Sequence, residues 1–340
     1  MSKKITQFTI NFGKTYFVAG EPLFGNVLLD LNEPVKIKDL SLTIVGKLEV
    51  RWSVLVPKWV VDPPPNRNRF FGRYIPTPVF FGGDELILKQ PISLWNRKGE
   101  EELQIGSHKF EFNFPLPVTC APSSLTCPDA ENVQATYYGE AVLTRSGMFK
   151  DKITATQQFA VQGFADLNDD DQALSPVQSN DRERLWCCCC YRGSVTVSGQ
   201  CFKRGYVPGE TVTVNVSVNN TTSKTIKLVT ASLFKRTHLS GQRMHKKKKM
   251  DKTKGENLDR KDNGCLVSGP CEQDFQFTLQ LPYNAEPSMT QFEVLKITYD
   301  VEVQVILKKS CCNKERVETL HLPIVVGTVP VQVPPFASKA

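Results

Sequence analysis

The chain has 340 residues, more than one β-sandwich of roughly 100 to 150 residues needs, so two domains are expected. Apolar residues make up 40% and charged residues 23%, an ordinary globular mix, and no run approaches the ~18 apolar residues that span a bilayer. The formal charge of +7 is modest for this length and gathers in one local run, so no nucleic-acid partner is expected.

From the start, Met1-Ser2-Lys3-Lys4-Ile5-Thr6 alternates polar and apolar and forms no signal-peptide core, which places the chain in the cytosol. Phe8, Ile10 and Phe12 then recur with period two, the mark of a strand with one buried face. The stretch from Pro57 to Gly83, with Pro63-Pro64-Pro65 and Phe80-Phe81-Gly82-Gly83, is expected to be a long loop. Phe110, Phe112 and Phe114 form a further strand, closed by Pro115 and Pro117. Asp166 to Arg184 is acidic and contains Pro and Ser, so it reads as a linker leading into a Cys-rich run. After Val195 and Val197 comes the clearest alternation in the chain, Val212, Val214, Val216 and Val218 set between Thr, Asn and Ser. The basic stretch Ser240 to Gly264 reads as a loop and not a strand, and period two returns at Phe275, Phe277, Leu279 and Leu281 and at Val301, Val303 and Val305. With no sustained 3.6-residue spacing, the fold class is all-β, two tandem immunoglobulin-like antiparallel sandwiches.

An internal repeat supports that reading. Tyr16-Phe17-Val18-Ala19-Gly20-Glu21 is echoed by Tyr206-Val207-Pro208-Gly209-Glu210, Ile37-Lys38 by Ile226-Lys227, and Phe110 to Pro117 by Phe275 to Pro282. Thr136-Tyr137-x-x-Glu140 recurs as Thr298-Tyr299-x-x-Glu302 in the same order. The expected boundaries are a first sandwich at 1–165, an acidic then Cys-rich linker at 166–192, a second sandwich at 193–327 and a short tail at 328–340.

Lys203-Arg204-Gly205-Tyr206-x-Pro208-Gly209-Glu210, Thr298-Tyr299-x-Val301 and the ending Leu322-Pro323-Ile324-Val325-Val326-Gly327-Thr328-Val329-Pro330 resemble the arrestin domain-containing proteins, the α-arrestins. Leu185-Trp186-Cys187-Cys188 also looks like that family. The resemblance covers nearly the whole chain. It implies an arrestin N-like and then a C-like sandwich, and adaptor work. Such members bind cytoplasmic tails or loops of membrane proteins at the plasma membrane, and recruit ubiquitin ligases that route the cargo to endosomes. They do so through Pro-Pro-x-Tyr motifs, and this sequence contains none. Pro63-Pro64-Pro65-Asn66 and Pro334-Pro335-Phe336-Ala337 lack the tyrosine that fills a WW-domain pocket. Ligase recruitment is then expected to need a partner such as another α-arrestin, or to be absent, so that the chain competes with longer relatives for cargo.

Two local features are candidate sites. The eleven cysteines are odd in number, and six sit in adjacent runs, so reduced thiols are expected rather than a disulfide framework. Cys187, Cys188, Cys189 and Cys190 alternate in direction on an extended chain and cannot easily close one tetrahedral zinc site. They read either as S-acylation sites beside aromatic and basic residues, or as small thiols packed at a domain junction. Within Ser240 to Gly264 there are nine basic residues against four acidic. Arg243, Lys246, Lys247, Lys248, Lys249, Lys252 and Lys254 could bind anionic lipid or phosphorylated cargo, address the chain to the nucleus, or simply be solvated. Together the two features open an alternative reading, a module recruited to lipid surfaces. No cofactor or metal is expected. His108, His238, His245 and His321 accompany no nucleophile motif and no phosphate-cradling loop, so an enzyme is not expected.

Overall fold

A computed structural model describes residues 4–62, 71–95, 101–125, 127, 130, 132–146, 152–187, 190–243, 248–264, 267–308 and 316–332. The chain divides into two compact units. One comprises Met1–Gly163, Leu239–Lys252 and Phe292–Leu295, and the other Phe164–His238, Thr253–Gln291 and Lys296–Ala340.

The first half supplies strands β1 (Ile5–Phe12), β2 (Tyr16–Val18), β3 (Pro22–Leu31), β4 (Val35–Asp62), β5 (Phe71–Ser93), β6 (Glu101–Leu103), β7 (Gly106–Pro115), β8 (Asn132–Arg145) and β9 (Lys152–Gln162). One sheet runs β1-β3-β7, and the facing one β5-β4-β8-β9-β2 with β6 on β4. Phe8, Ile10, Val27 and Leu29 of the first layer and Leu42, Ile44, Tyr137 and Leu143 of the second are buried between them. Phe12 and Phe159 meet across the layers with ring centroids 4.7 Å apart.

The second half supplies β10 (Val177–Cys187), β11 (Cys190–Cys201), β12 (Gly205–Tyr206), β13 (Thr211–Asn220), β14 (Thr225–Arg243), β15 (Lys249–Asn263), β16 (Val267–Ser268), β17 (Cys271–Gln280), β18 (Leu295–Leu307) and β19 (Arg316–Val326). Here one sheet runs β10-β11-β13-β17 and the other β14-β18-β19-β12, with β15 and β16 on β14. Val212, Val214, Val216 and Val218 all lie in the core, as their alternation requires. The layers approach closely at Gly199, where a Cβ would lie 2.7 Å from Leu320 Cδ2.

Apart from β10, which has no counterpart in the first copy, the two copies correspond strand for strand. The path β1-β3-β7 repeats as β11-β13-β17, and β5-β4-β8-β9-β2 repeats as β15-β14-β18-β19-β12. Both parallel pairings recur as well, β2 with β9 and β12 with β19. The echoed motif builds one turn twice. Gly20 and Gly209 adopt φ of 90° and 88°, a conformation that glycine enters without steric cost. The Glu21 carboxylate accepts from Val18 N at 3.2 Å and that of Glu210 from Val207 N at 3.1 Å. The Lys14 and Lys203 ammonium groups pair with the same carboxylates at 3.4 and 2.8 Å. Tyr137 then donates its hydroxyl to Ala121 O and Tyr299 to Glu286 O, each at 2.7 Å.

Three readings of the sequence are corrected. Pro57 to Gly83 is largely not a loop: β4 and β5 pair from Ser41–Ser93 out to Asp62–Phe71. The described residues of Ser240 to Gly264 are largely strand, since Ser240 to Arg243 continue β14 and residues 249–263 form β15 paired with it. In both places the strands beyond the sandwich have water on each face, so no single buried face imposes period two on the sequence. The acidic stretch read as linker contains β10, which pairs with β11 from Val177–Cys201 to Cys187–Cys190.

Candidate protein-binding surfaces

The sequence-derived sites fall at hairpin ends. Cys187 closes β10 and Cys190 opens β11, and their backbones face each other in register. Cys188 and Cys189 lie outside the described residues, as do Lys246 and Lys247. Arg243 ends β14 and donates its backbone N–H to Lys248 O at 2.9 Å. Lys249, Lys252 and Lys254 follow along β15. Further along that strand cations and carboxylates offset each other, Arg260 with Asp262 at 2.8 Å and Lys261 with Asp259 at 3.4 Å. Among the described residues of the basic run, Arg243 therefore ends β14, and Lys249, Lys252 and Lys254 lie on β15, which pairs with it.

A charged cluster that the sequence did not announce sits on the outer face of β14, β18 and β19. Arg236 grips Asp300 with Nε to Oδ1 at 2.6 Å and Nη2 to Oδ2 at 2.9 Å, and reaches Glu302 at 3.1 Å. His321 Nδ1 lies 2.8 Å from Asp300 Oδ2. The carboxylates hold the Arg236 guanidinium above its ordinary pKa, chiefly through the Asp300 hydrogen bonds. Asp300, Glu302 and His321 could in principle share a cation, but the guanidinium already occupies both carboxylates. The cluster thus acts as a brace across three strands. His238 on β14 bonds Thr253 Oγ1 through Nδ1 at 2.9 Å, and burial, with help from Arg236 and Lys296, pushes its pKa down. Burial also lifts the thiols of Cys120 to about 11 and Cys201 to about 12.

Strand edges differ between the units. In the second, β10 presents Asp181 and Glu183 toward the core side and Arg182 and Arg184 outward, opposite Val197, Val195, Thr196 and Ser194, and inward charges of this kind discourage strand addition. The end of β17 is covered where Asp259 accepts from Gln280 N at 2.8 Å. In the first, β1 and β7 close their sheet with no further strand beyond them among the described residues.

The model of the arrestin (or S-antigen) N-terminal domain matches residues 6–168, and that of the arrestin (or S-antigen) C-terminal domain matches residues 192–331. Arrestin domain-containing protein 17 of Caenorhabditis elegans is 26% identical over 337 residues, covering 96% of this chain and 71% of the relative. Arrestin domain-containing protein 4 of Homo sapiens is 24% identical, covering 93% and 69%. Thioredoxin-interacting protein of Mus musculus is 23% identical, covering 96% and 75%. With both domain models in order over two sandwiches that repeat one topology, the chain belongs to the arrestin family, among its arrestin domain-containing members, the α-arrestins.

Proposed function

We propose that the chain is an arrestin-like adaptor that binds cytoplasmic segments of membrane proteins and takes part in their transport, endocytic sorting and signalling. It would work in the cytoplasm and be recruited to the plasma membrane and endosomes. Family membership supports the adaptor role, and the observation that carries the peptide-binding part is the contrast in edges. The second unit guards β10 with inward charge and covers the end of β17, whereas β1 and β7 end their sheet open among the described residues. An extended cargo segment can add to such an edge through main-chain hydrogen bonds.

Proximity labelling in cells should first identify membrane proteins near the chain. Peptides from their cytoplasmic segments are then added to the purified protein during hydrogen exchange. Protection confined to amides of β1 or β7 is the expected result. Labelling of no membrane protein, or tight peptide binding with both strands unprotected, would refute the reading.

A further inference from the structure

The second sheet of the first unit ends on β9 and the short β2. β9 pairs with β8 from Lys152–Thr144 to Phe159–Tyr137, and with β2 only at Ala160 to Gln162. From Lys152 to Gln158 no strand lies along its outer side among the described residues. One bond fixes which backbone groups face that side: Ala160 N donates to Thr15 O at 3.1 Å, away from β8. Since the register with β8 is unbroken and the bonding direction alternates, the N–H and C=O groups of Lys152, Thr154, Thr156 and Gln158 point outward too. The Gln158 carbonyl accepts from the exposed Gln157 side-chain amide at 3.3 Å, a contact that a neighbouring strand would displace. The side chains also show a layer that stops short. Ile153, Ala155 and Gln157 share the face of the buried Phe159 and Val161, yet the first two are half-buried and Gln157 is exposed. Other edges carry charge or proline: β7 has His108, Lys109 and Glu111, β10 has Asp181 to Arg184, and β19 has Glu318, His321 and Pro323. β9, like β1, has neither, from Ile153 to Gln162.

We propose that this edge pairs with the same edge of a second copy of the chain, antiparallel about a two-fold axis at Ala155, joining the two sheets into one. An isologous contact must be complementary to itself, and Thr154-Ala155-Thr156 reads the same in both directions. In this register Thr154 meets Thr156 of the second copy and Lys152 meets Gln158, and each such outward-facing pair exchanges two main-chain hydrogen bonds. Thr–Thr pairs are favourable cross-strand neighbours. Lys152, the only charge in the span, faces a neutral amide and not its own copy. Ala155 meets Ala155 at a position without main-chain bonds, where strands come closest, at a Cα separation of about 4.5 Å, and a small side chain fits. Ile153 comes beside Gln157 of the second copy, so the core face gains the cover that it lacks. The contact is about 24 Å long at ~3.4 Å per residue, short enough to be reversible. A cargo segment on β1 or β7 lies in the other sheet and leaves this edge free, so the inference stands apart from the cargo reading.

The test uses the full chain under reducing conditions, so that no disulfide links two copies. Sedimentation velocity from roughly 1 to 500 µM, the range suited to a small interface, should show monomer passing reversibly into dimer. Hydrogen exchange at the two ends of that range should show added protection at Thr154, Thr156 and Gln158 and none in β1 or β7. Thr154→Lys with Thr156→Lys sets lysines opposite each other across the axis and should weaken self-association roughly tenfold, as should Thr154→Glu with Thr156→Glu. An equimolar mixture of the two variants should restore the dimer, because lysines then face glutamates. Thr156→Pro removes an outward N–H and none that bonds β8, and should weaken self-association by a similar factor. Thermal melts of the Lys and Glu variants should match wild type, since both threonines are exposed. Monomer throughout the range, a dimer unchanged in both charge variants, no dimer in their mixture, or a dimer without added protection in β9 would each overturn the proposal.

Discussion

Val214 is fully buried on β13, between Cys201 of β11 and Phe277 of β17 in the ladder. Replacing it with aspartate removes about 1.5 to 3 kcal/mol of apolar burial and adds several kcal/mol for a carboxylate without a partner. The sum takes half or more of a typical domain stability of ~5 to 15 kcal/mol. The cost is also pH-dependent. Burial raises the folded-state pKa of the new carboxyl above its unfolded value near 3.9, so the unfolded state binds fewer protons in the interval between them. Stability therefore falls as pH rises through that interval, and the deficit shrinks as pH is lowered from 7 toward 5.

Hydrogen exchange by mass spectrometry resolves the effect by unit. Amides of β11, β13 and β17 should lose protection while those of β1, β3 and β8 keep it. Val214→Thr, which keeps the shape but buries a hydroxyl, should cost only about 1 to 3 kcal/mol and show no pH dependence. A Val214→Asp protein with wild-type protection in β13, or with a deficit constant from pH 5 to 7, would refute the placement of these valines in the core.

Tyr137→Phe and Tyr299→Phe should each cost about 1 to 3 kcal/mol by stranding the Ala121 and Glu286 carbonyls, measured by denaturant melts; a neutral result at both sites would contradict the duplicated corner. Gly209→Ala forces a side chain into the left-handed region and against the Tyr283 ring, 2.5 Å away, and should destabilise the second unit by about 1 to 2 kcal/mol. His238 has a folded-state pKa below its ordinary value of 6.5, so the unfolded state takes up its proton first and stability drops as pH falls below that value. His238→Gln should flatten the drop in a pH series of melting temperatures, and an unchanged slope would exclude His238 as its source. The Cys120 and Cys201 thiols, buried and shifted upward, should resist alkylation at pH 8 in the native protein and react after unfolding, as peptide mass mapping would show.

What the sequence disclosed follows from which residues have a single buried face. Val212 to Val218 alternate because one side of β13 is core and the other is water, and Phe275 to Leu281 do so for the same reason on β17. The repeat was legible because its glycine and glutamate are needed twice, yet their chemistry, a carboxylate accepting a backbone N–H three residues back, appears only in the folded turn. β10 was hidden by Asp181-Arg182-Glu183-Arg184, which defend an edge and so read as linker. The strands at Trp59 and Tyr74 were missed because Leu55, Pro57 and Trp59 interleave with Val54, Val56 and Val60, so apolar residues fall on both faces and no period emerges. The signal that could have found them is composition, a Trp and a Tyr among valines and prolines on either side of Pro63-Pro64-Pro65.

The strand-for-strand correspondence makes β4–β5 of the first copy the counterpart of β14–β15 of the second. Both copies lengthen the same hairpin, and they do so with opposite chemistry: exposed aromatic and aliphatic residues in one, a concentration of lysines in the other. Neither extension adds to its core, since the residues concerned are exposed or half-buried, so folding stability gives no reason to keep them. Two-stranded ribbons are marginal in water, and exposed apolar side chains carry an aggregation cost. Duplicated sandwiches that keep the same turn, the same tyrosine hydrogen bond and the same strand order, yet diverge in this one hairpin, thus separate the part of the sequence that specifies the fold from the part that specifies what the fold touches.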